Sequence, residues 1–343
     1  MTLSHTCEGT RINTQHPDGL VHGTMCRTAI EDLPECMANH YTVEAVQLDG
    51  GDFHCHSNFV SSPGAVLSHE TIARQIHLTG TMKDDWLGLG IPVRMQGSRF
   101  MGEKADDTCC PVTLRGSKFE WFIQPGFQLL VVLAARPRVL ALAGRSHVSP
   151  SIMKSIGPDA LTAGLRTDPR VVAGSRRALL GLLQTAQRGE LEVDAAAFES
   201  AVLEEMITVL DSSDGEVLGM IPASTLVRRA REVVGSLPKK FKISALCAEL
   251  NVGPRTLGKA FITITGASPY TYFLRQRLNA ARTALLQAEP EPNKVTSIAL
   301  DLGFTELGRF SVRYRSLFGE SPSQTLRRAA SNVVSLPAVL SPV

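Results

Sequence analysis

Two stretches of this chain repeat one another in pattern and in the way they end. Residues 243–265 read ISALCAELNVGPRTLGKAFITIT, and residues 295–318 read VTSIALDLGFTELGRFSVRYRSLF. Each has apolar residues at helical spacing, then a short turn, then a second apolar period. Each is followed at once by Gly-x-Ser-Pro, as Gly266-Ala267-Ser268-Pro269 and Gly319-Glu320-Ser321-Pro322. Glycine closes a helix because it accepts left-handed backbone, and Ser-Pro opens the next one. Two helix–turn–helix units in tandem are therefore predicted.

In the first unit Ser244 is placed to cap a short helix ending near Leu250, Asn251-Val252-Gly253 makes the turn, and Pro254 opens the second helix. Leu257 and Phe261 are four apart and face the core with Leu246 and Leu250, with Cys247 as a small packing residue. The opposite face then carries Arg255, Thr256, Lys259 and Thr263, residue types that bond base edges and phosphates in a major groove. Gly258 costs a helix about 1 kcal/mol relative to Ala; it marks either a close backbone approach or simply a weaker helix. In the second unit Ile298, Ala299 and Leu302 pack a short helix, and Gly303-Phe304 turns the chain. Leu307, Phe310, Tyr314 and Phe318 form the inward stripe, leaving Thr305, Glu306, Gly308, Arg309 and Arg313 outside. Arg309 and Arg313 suit guanine or phosphate, while Glu306 either accepts from cytosine or caps the helix as an acid in its first turn.

Residues 269–288 join the units as one helix of about 18 residues, roughly 27 Å long. A duplex turn is roughly 34 Å, so one rigid linker is expected to set both reading heads on one face of double-stranded DNA. Glu289-Pro290-Glu291-Pro292 stops it. Upstream, a helix over 225–236 turns Leu226, Ala230 and Val233 or Val234 inward, and Lys239, Lys240 and Lys242 form a basic loop suited to phosphate contacts.

Charge follows the same division. Residues 222–330 hold 17 Lys and Arg against 7 Asp and Glu, a net +10, whereas the remainder of the chain nets −8. A basic domain beside an acidic one fits a polyanionic partner, although a well-solvated basic surface has the same composition.

Before position 220 the pattern differs. Residues up to His40 show no clear period. Candidate strands then follow closely over 42–48, 53–60, 65–68, 73–78, 87–93, 112–114, 118–123 and 128–133, separated by Gly, Asp and Pro clusters. No helical pattern of crossover length lies between them, so a barrel or sandwich is expected. A short apolar helix is expected over 136–143; two amphipathic helices, from Asp168-Pro169 to before Gly189 and over 194–210, either pack on the barrel or dimerise, and Asp211 to Gly215 reads as a linker. The expected class is α+β in two domains: a mainly-β barrel or sandwich with helices, then an all-α tandem helix-turn-helix, homeodomain-like domain. The segments are 1–145 for a β-rich effector-binding or regulatory domain, 146–215 for a helical dimerisation or packing region and linker, 222–330 for DNA binding, and 331–343 for a flexible tail.

Two features of the β-rich half invite a chemical reading. His54-Cys55-His56 puts two imidazoles on one strand face, near His69 and His77, but spacing fixes no third and fourth metal ligand. Cys109-Cys110 is a vicinal pair, and neighbouring Asp106 and Asp107 raise thiol pKa values and so oppose reactivity. There is no Gly-x-Ser-x-Gly, phosphate loop, His-Glu-x-x-His or Cys-x-x-Cys. No catalytic activity, cofactor or metal is expected, and an enzyme fused to a DNA reader is the remote alternative. Seven scattered cysteines, no basic-then-apolar start and no apolar run of roughly 18 residues give no membrane contact and a cytoplasmic, nucleoid-associated protein with reduced thiols as the expectation.

The C-terminal pattern resembles the AraC/XylS transcription regulators. The resemblance is carried by Leu246-Cys247, Pro254-Arg255-Thr256-Leu257, Phe261, Gly266, Ser268-Pro269, Arg277-Leu278, Ala281-Arg282, Ile298-Ala299, Gly303-Phe304, Phe310, Phe318-Gly319 and Ser321-Pro322, about a third of the chain. Departures are Cys247 for the usual Ala, Gly258 for a polar residue and Tyr314 for a Phe. The N-terminal half resembles AraC-type effector-binding domains of the ethanolamine- and ornithine-regulator branch. Together the resemblances imply a transcription activator, usually a homodimer, that meets promoter DNA, RNA polymerase and a small-molecule effector. An effector-independent regulator whose N-terminal domain only dimerises or binds protein is the alternative.

Overall fold

The computed structural model describes residues 9–15, 19–83, 85–145, 156, 162–188, 190, 194–218, 221–236 and 242–332. The chain divides into two compact units, one of residues 1–45 and 53–225, the other of residues 46–52 and 226 onward.

In the first unit fourteen strands are described, and all the expected ones are present: β1 (Gly9–Gln15), β2 (Val21–Arg27), β3 (Tyr41–Gln47), β4 (Cys55–Ser61), β5 (Ala65–Ile72), β6 (Ile76–Met82), β7 (Trp86–Arg94), β8 (Arg99–Phe100), β9 (Glu103–Lys104), β10 (Cys109–Leu114), β11 (Lys118–Ile123), β12 (Phe127–Ala135), β13 (Ala163–Thr167) and β14 (Ser213–Leu218). They form a sheet in the order β1-β2-β4-β5-β12-β7-β10-β13-β14 and a second in the order β3-β6-β11-β8-β9. Of the barrel and the sandwich, the sandwich is what forms. The sheets stay open, and one apolar cluster between them takes Tyr41, Ile76, Leu78, Phe119 and Trp121 from one and Ile72, Phe127, Leu129 and Leu133 from the other. Tyr41 Oη and Thr113 Oγ1, 3.1 Å apart, join the two sheets through that layer.

Helices α1 (Leu33–Cys36), α2 (Arg136–Arg145), α3 (Pro169–Gln187) and α4 (Ala195–Asp211) complete the unit. Asp168 and Asp194 cap α3 and α4, each accepting a backbone N–H at 2.7 Å. The stripes of α3 and α4 (Val172, Leu179, Leu183, Phe198, Val202, Met206) are buried on the outer face of the larger sheet against Leu67, Leu89, Leu130 and Val132. Alternate residues of β12 thus face the helices and the other sheet, which is why its sequence is an almost unbroken apolar run. The Asp211–Gly215 stretch, expected as a linker, enters β14 instead, paired with β13. Burial first, then Asp106 among the neighbouring charges, pushes the Cys109 and Cys110 thiols up to about 12. His54 lies just outside β4 and is exposed, His77 is buried 2.9 Å from Glu120, and among the described residues no His, Cys, Asp and Glu group could hold a metal.

The second unit is helical. It contains α5 (Pro222–Ser236) from Leu226 on, then α6 (Ile243–Leu250), α7 (Pro254–Thr265), α8 (Pro269–Leu286), α9 (Lys294–Asp301), α10 (Leu307–Phe318) and α11 (Pro322–Asn332). Val227 and Ala230 are the fully buried apolar members of α5, while Leu226 is half-buried, because the stripe is rotated by one residue from the expected one. Helix α6 begins at Ile243 with Lys242 at its N-cap, so Ser244 lies inside the helix and does not cap it. The Gly-x-Ser-Pro motif has the same meaning twice. Gly266 and Gly319 close α7 and α10 at φ +70° and +75°, backbone that only glycine takes without strain. Ser268 Oγ then accepts the Thr271 N–H at 3.2 Å, and Ser321 Oγ accepts the Gln324 N–H at 3.3 Å while Gln324 Oε1 accepts the Ser321 N–H at 2.7 Å. No described helix is long and apolar enough to cross a membrane.

Two expectations follow. Cys109 and Cys110 should resist maleimide in the native protein at pH 7 and react once it is unfolded, read by intact mass. The second concerns Glu320. Burial pushes its carboxyl up, but the Thr325 hydroxyl, Arg282 and Arg328 outweigh this and hold it below its ordinary value of 4.5. A depressed carboxyl contributes stability that is complete above 4.5 and disappears as pH falls through the lowered value. Glu320→Gln should therefore cost about 1–2 kcal/mol at neutral pH, discounted for a partly exposed group, and the deficit should shrink in acid, measured by urea denaturation at both pH values.

Candidate nucleic-acid interface

Each of the helices α7 and α10 runs twelve residues from the turn to its closing glycine. Laid on one another from their first residues, Leu257 and Phe261 of α7 fall on Phe310 and Tyr314 of α10, and all four are buried. In the first repeat Phe261 packs edge-on to Tyr272 of α8, with ring centroids 5.5 Å apart. In the second, the rings of Phe310, Tyr314 and Phe318 meet in succession, each tilted by about 60° to the next, with Leu278, Ala281 and Leu285 of α8 in the same cluster. Helix α8 is thus the shared wall of both repeats, eighteen residues long or about 27 Å.

With the apolar side fixed, the remaining side chains must face out. Arg255, Thr256, Lys259 and Thr263 are exposed on α7, and Thr305, Glu306 and Arg309 at the start of α10. Lys242 is exposed at the N-cap of α6; Lys239 and Lys240 lie outside the described residues. The Glu306 side chain makes no cap hydrogen bond. Its oxygens lie 2.9 and 3.1 Å from Arg309 Nη1. Such an exposed pair is weakly held, so Arg309 is available to a stronger anion.

Arg313 is placed differently. It is half-buried, donates from Nη1 to Tyr270 Oη at 3.1 Å and lies 5.9 Å from that ring's centroid. Arg277 of α8 sits 5.2 Å over the Phe304 ring, and its pKa is lowered by burial and by Arg313 beside it. Tyr270, Arg277, Phe304, Arg309 and Arg313 line a cleft of about 200 Å³ beside the start of α10, with Glu306, already paired with Arg309, at the same wall. Guanidiniums crowded on one wall repel each other, and an anion held between them removes the repulsion; a phosphodiester has that charge and the acceptor oxygens.

A helix-turn-helix domain model matches residues 246–328. The XylDLEGF operon transcriptional activator of Pseudomonas putida is 36% identical over 98 residues, 29% of this chain and 30% of that protein. The probable thc operon regulatory protein of Rhodococcus erythropolis is 35% identical over 85 residues, 25% of this chain and 26% of that one. A solved structure of a probable AraC family transcriptional regulator from Rhodopseudomonas palustris shares 38% identity over 31% of this chain and 97% of its own, with a TM-score of 0.28. The C-terminal domain is of the AraC/XylS type. The chain spans less than a third of the length of the two operon regulators, and what is shared is this domain.

Besides Ser244 and Leu226, sequence reading of the AraC/XylS-type domain misplaced a residue at the interface and overlooked others. Leu307, assigned to the inward stripe, is exposed at 36%, because the turn after α9 is longer than that after α6 and delivers it to the helix's first position. Val312 and Ile262, exposed at 71% and 60%, went unremarked, as did Tyr270 on the wall of α8, and Arg277 entered only through the resemblance, not as a site residue. Superposing the two repeats residue by residue would have found Val312, since it falls where α7 carries Lys259.

If the cleft seats a phosphate, Arg313→Ala should weaken binding to any duplex about equally and reduce the slope of log K against log salt by about 0.9. Tyr270→Phe, which only frees the guanidinium, should have a smaller effect of the same kind. Fluorescence anisotropy at several salt concentrations measures both.

Proposed function

We propose that this protein is a ligand-responsive transcription activator that reads two adjacent major-groove segments of promoter DNA with α7 and α10. The observation that carries the reading is the repeated outward face. Two recognition helices, each locked by its own apolar stripe to the common helix α8, present Arg255, Thr256, Lys259 and Thr263 on one and Thr305, Glu306 and Arg309 on the other, with half-buried Arg313 in the cleft beside them. Lys242, with Lys239 and Lys240, contacts phosphates alongside. The net +10 over residues 222–330 supplies the non-specific attraction from which a specific site is found. The activator role rests on analogy with the operon activator that shares the domain.

The first unit is the effector domain in this reading. Between its sheets the apolar layer is broken by Ser57, whose hydroxyl donates to Glu70 at 2.7 Å, and by the Tyr41–Thr113 pair. A few polar groups in an apolar surround are what orient a small ligand. The protein acts as a homodimer on the bacterial nucleoid and contacts RNA polymerase there. It needs no cofactor and carries out no reaction of its own.

The test is selection of binding sites from random duplex DNA by the full chain. Enrichment of two short segments about one helical turn apart is expected; enrichment of one segment, or none, would overturn the two-headed reading. At the selected site Arg255→Ala and Arg309→Ala should each cost about 1–3 kcal/mol and relax preference at different base pairs. A metabolite screen by thermal shift checks the effector, whose binding raises Tm.

A further inference from the structure

We infer that the second recognition helix reads thymine through its apolar side chains, with Val312 seated against the C5-methyl group and Leu307 at the rim. The inference rests on the DNA-reading function above and assigns its base specificity.

Large apolar side chains left exposed among the described residues are five, namely Ile262, Tyr270, Leu300, Leu307 and Val312, and all lie in the second unit. Isolated exposed apolar residues are ordinary, and Val312 alone would mean nothing. Its position is what decides. Val312 falls where α7 presents Lys259, on the outward side of α10, flanked in sequence by Arg313 and one turn after Arg309. One turn before it on the same face stands Gly308, where α7 presents Arg255. A Cβ built on Gly308 would meet nothing within 4 Å, so no packing inside the chain requires glycine there. Glycine weakens the helix, and with no internal reason for it the bare backbone fits close approach by something outside.

Gly308 and Val312, four apart on one face, therefore form a low, apolar strip bordered by Arg309 and the Arg313 cleft, with exposed Leu307 at the start of the helix. On the floor of a major groove the one apolar group is the thymine methyl, and every other edge offers donors or acceptors that valine cannot satisfy. Arg313 at the border takes the backbone and holds the strip down, while Arg309 keeps its base contact. The two heads would then differ in kind, the first reading by hydrogen bonds and the second partly by methyl contact.

Replacing single thymines by deoxyuridine removes the methyl and keeps every hydrogen-bonding group. In the site selected by the full chain, uracil at one or two positions of the segment read by α10 should weaken wild-type binding about fourfold each, the worth of one buried methyl group. Val312→Ala, at an exposed position, should keep its fold by circular dichroism and lose that penalty. Gly308→Ala should raise Tm yet weaken binding at the same site. A selected site indifferent to uracil, or a penalty unchanged in Val312→Ala and Leu307→Ala, would overturn the methyl contact while leaving the DNA reading intact. Failure to select any site would overturn both.

Discussion

The second half of the DNA-binding domain depends on one buried guanidinium. Arg282, on the inner side of α8, is 7% exposed; it donates to Glu320 Oε1 at 2.7 Å and lies 4.8 Å over the Phe318 ring. A charge so placed without a partner would be strongly destabilising, so the chain must return a carboxylate to that spot. It does so through Gly319, whose left-handed backbone ends α10 and turns Glu320 back towards α8. Thr325 and Arg328 then bond the same carboxylate at 2.9 and 3.1 Å, and the Tyr314 hydroxyl bonds Thr325 at 2.8 Å. The end of the recognition helix, the linker helix and α11 are thereby held to one point.

The first repeat solves the same problem without charge. Its Gly-x-Ser-Pro carries buried Ala267 where the second carries Glu320, and Thr265 Oγ1 accepts the Ala267 N–H at 3.2 Å. Closure against α8 comes from Phe261, Tyr272 and Phe273, whose ring centroids lie 5.3 to 5.5 Å apart. The recurring motif specifies the backbone, and its variable position is free to be ionic or apolar. Two units built this way can keep the same orientation to α8 while their outer faces diverge, and so read different bases.

What could be read from the sequence follows from how local the cause is. Terminators, the Asp168 and Ser268 caps and the inward pairs Leu257–Phe261 and Phe310–Tyr314 are set by residues a few positions apart, and they stand as expected. The central strands were legible from apolar runs. β1, β2, β13 and β14 were not, because their own residues show no period; β1 and β2 form a hairpin that joins the sheet only where β2 meets β4, and β10 meets β13 across some fifty residues of chain. Ser244 looked like a cap by type, yet the helix begins one residue earlier, at Ile243, with Lys242 in the cap position. Leu307 obeyed the hydrophobic pattern but sits at a helix start, where the period does not yet apply. At the interface, charged residues were easy to propose because their chemistry is conspicuous. Val312 was not, since an apolar residue is assigned to a core by default.

That default hides a physical tension in recognition helices. The side that meets DNA cannot use apolar packing inside the chain, so every residue there is chosen without regard to folding. Gly258 and Gly308 each cost a helix about 1 kcal/mol relative to Ala, and neither has a neighbour within 4 Å of where a Cβ would stand. Exposed Val312 and Ile262 forgo burial worth about 1.5–3 kcal/mol apiece. The inner side must offset this, which is why Phe261, Phe310, Tyr314 and Tyr272 are all at most 1% exposed. A dense aromatic wall under a weak outer face is therefore the arrangement to expect wherever a short helix must stay rigid while its surface is given over to another molecule.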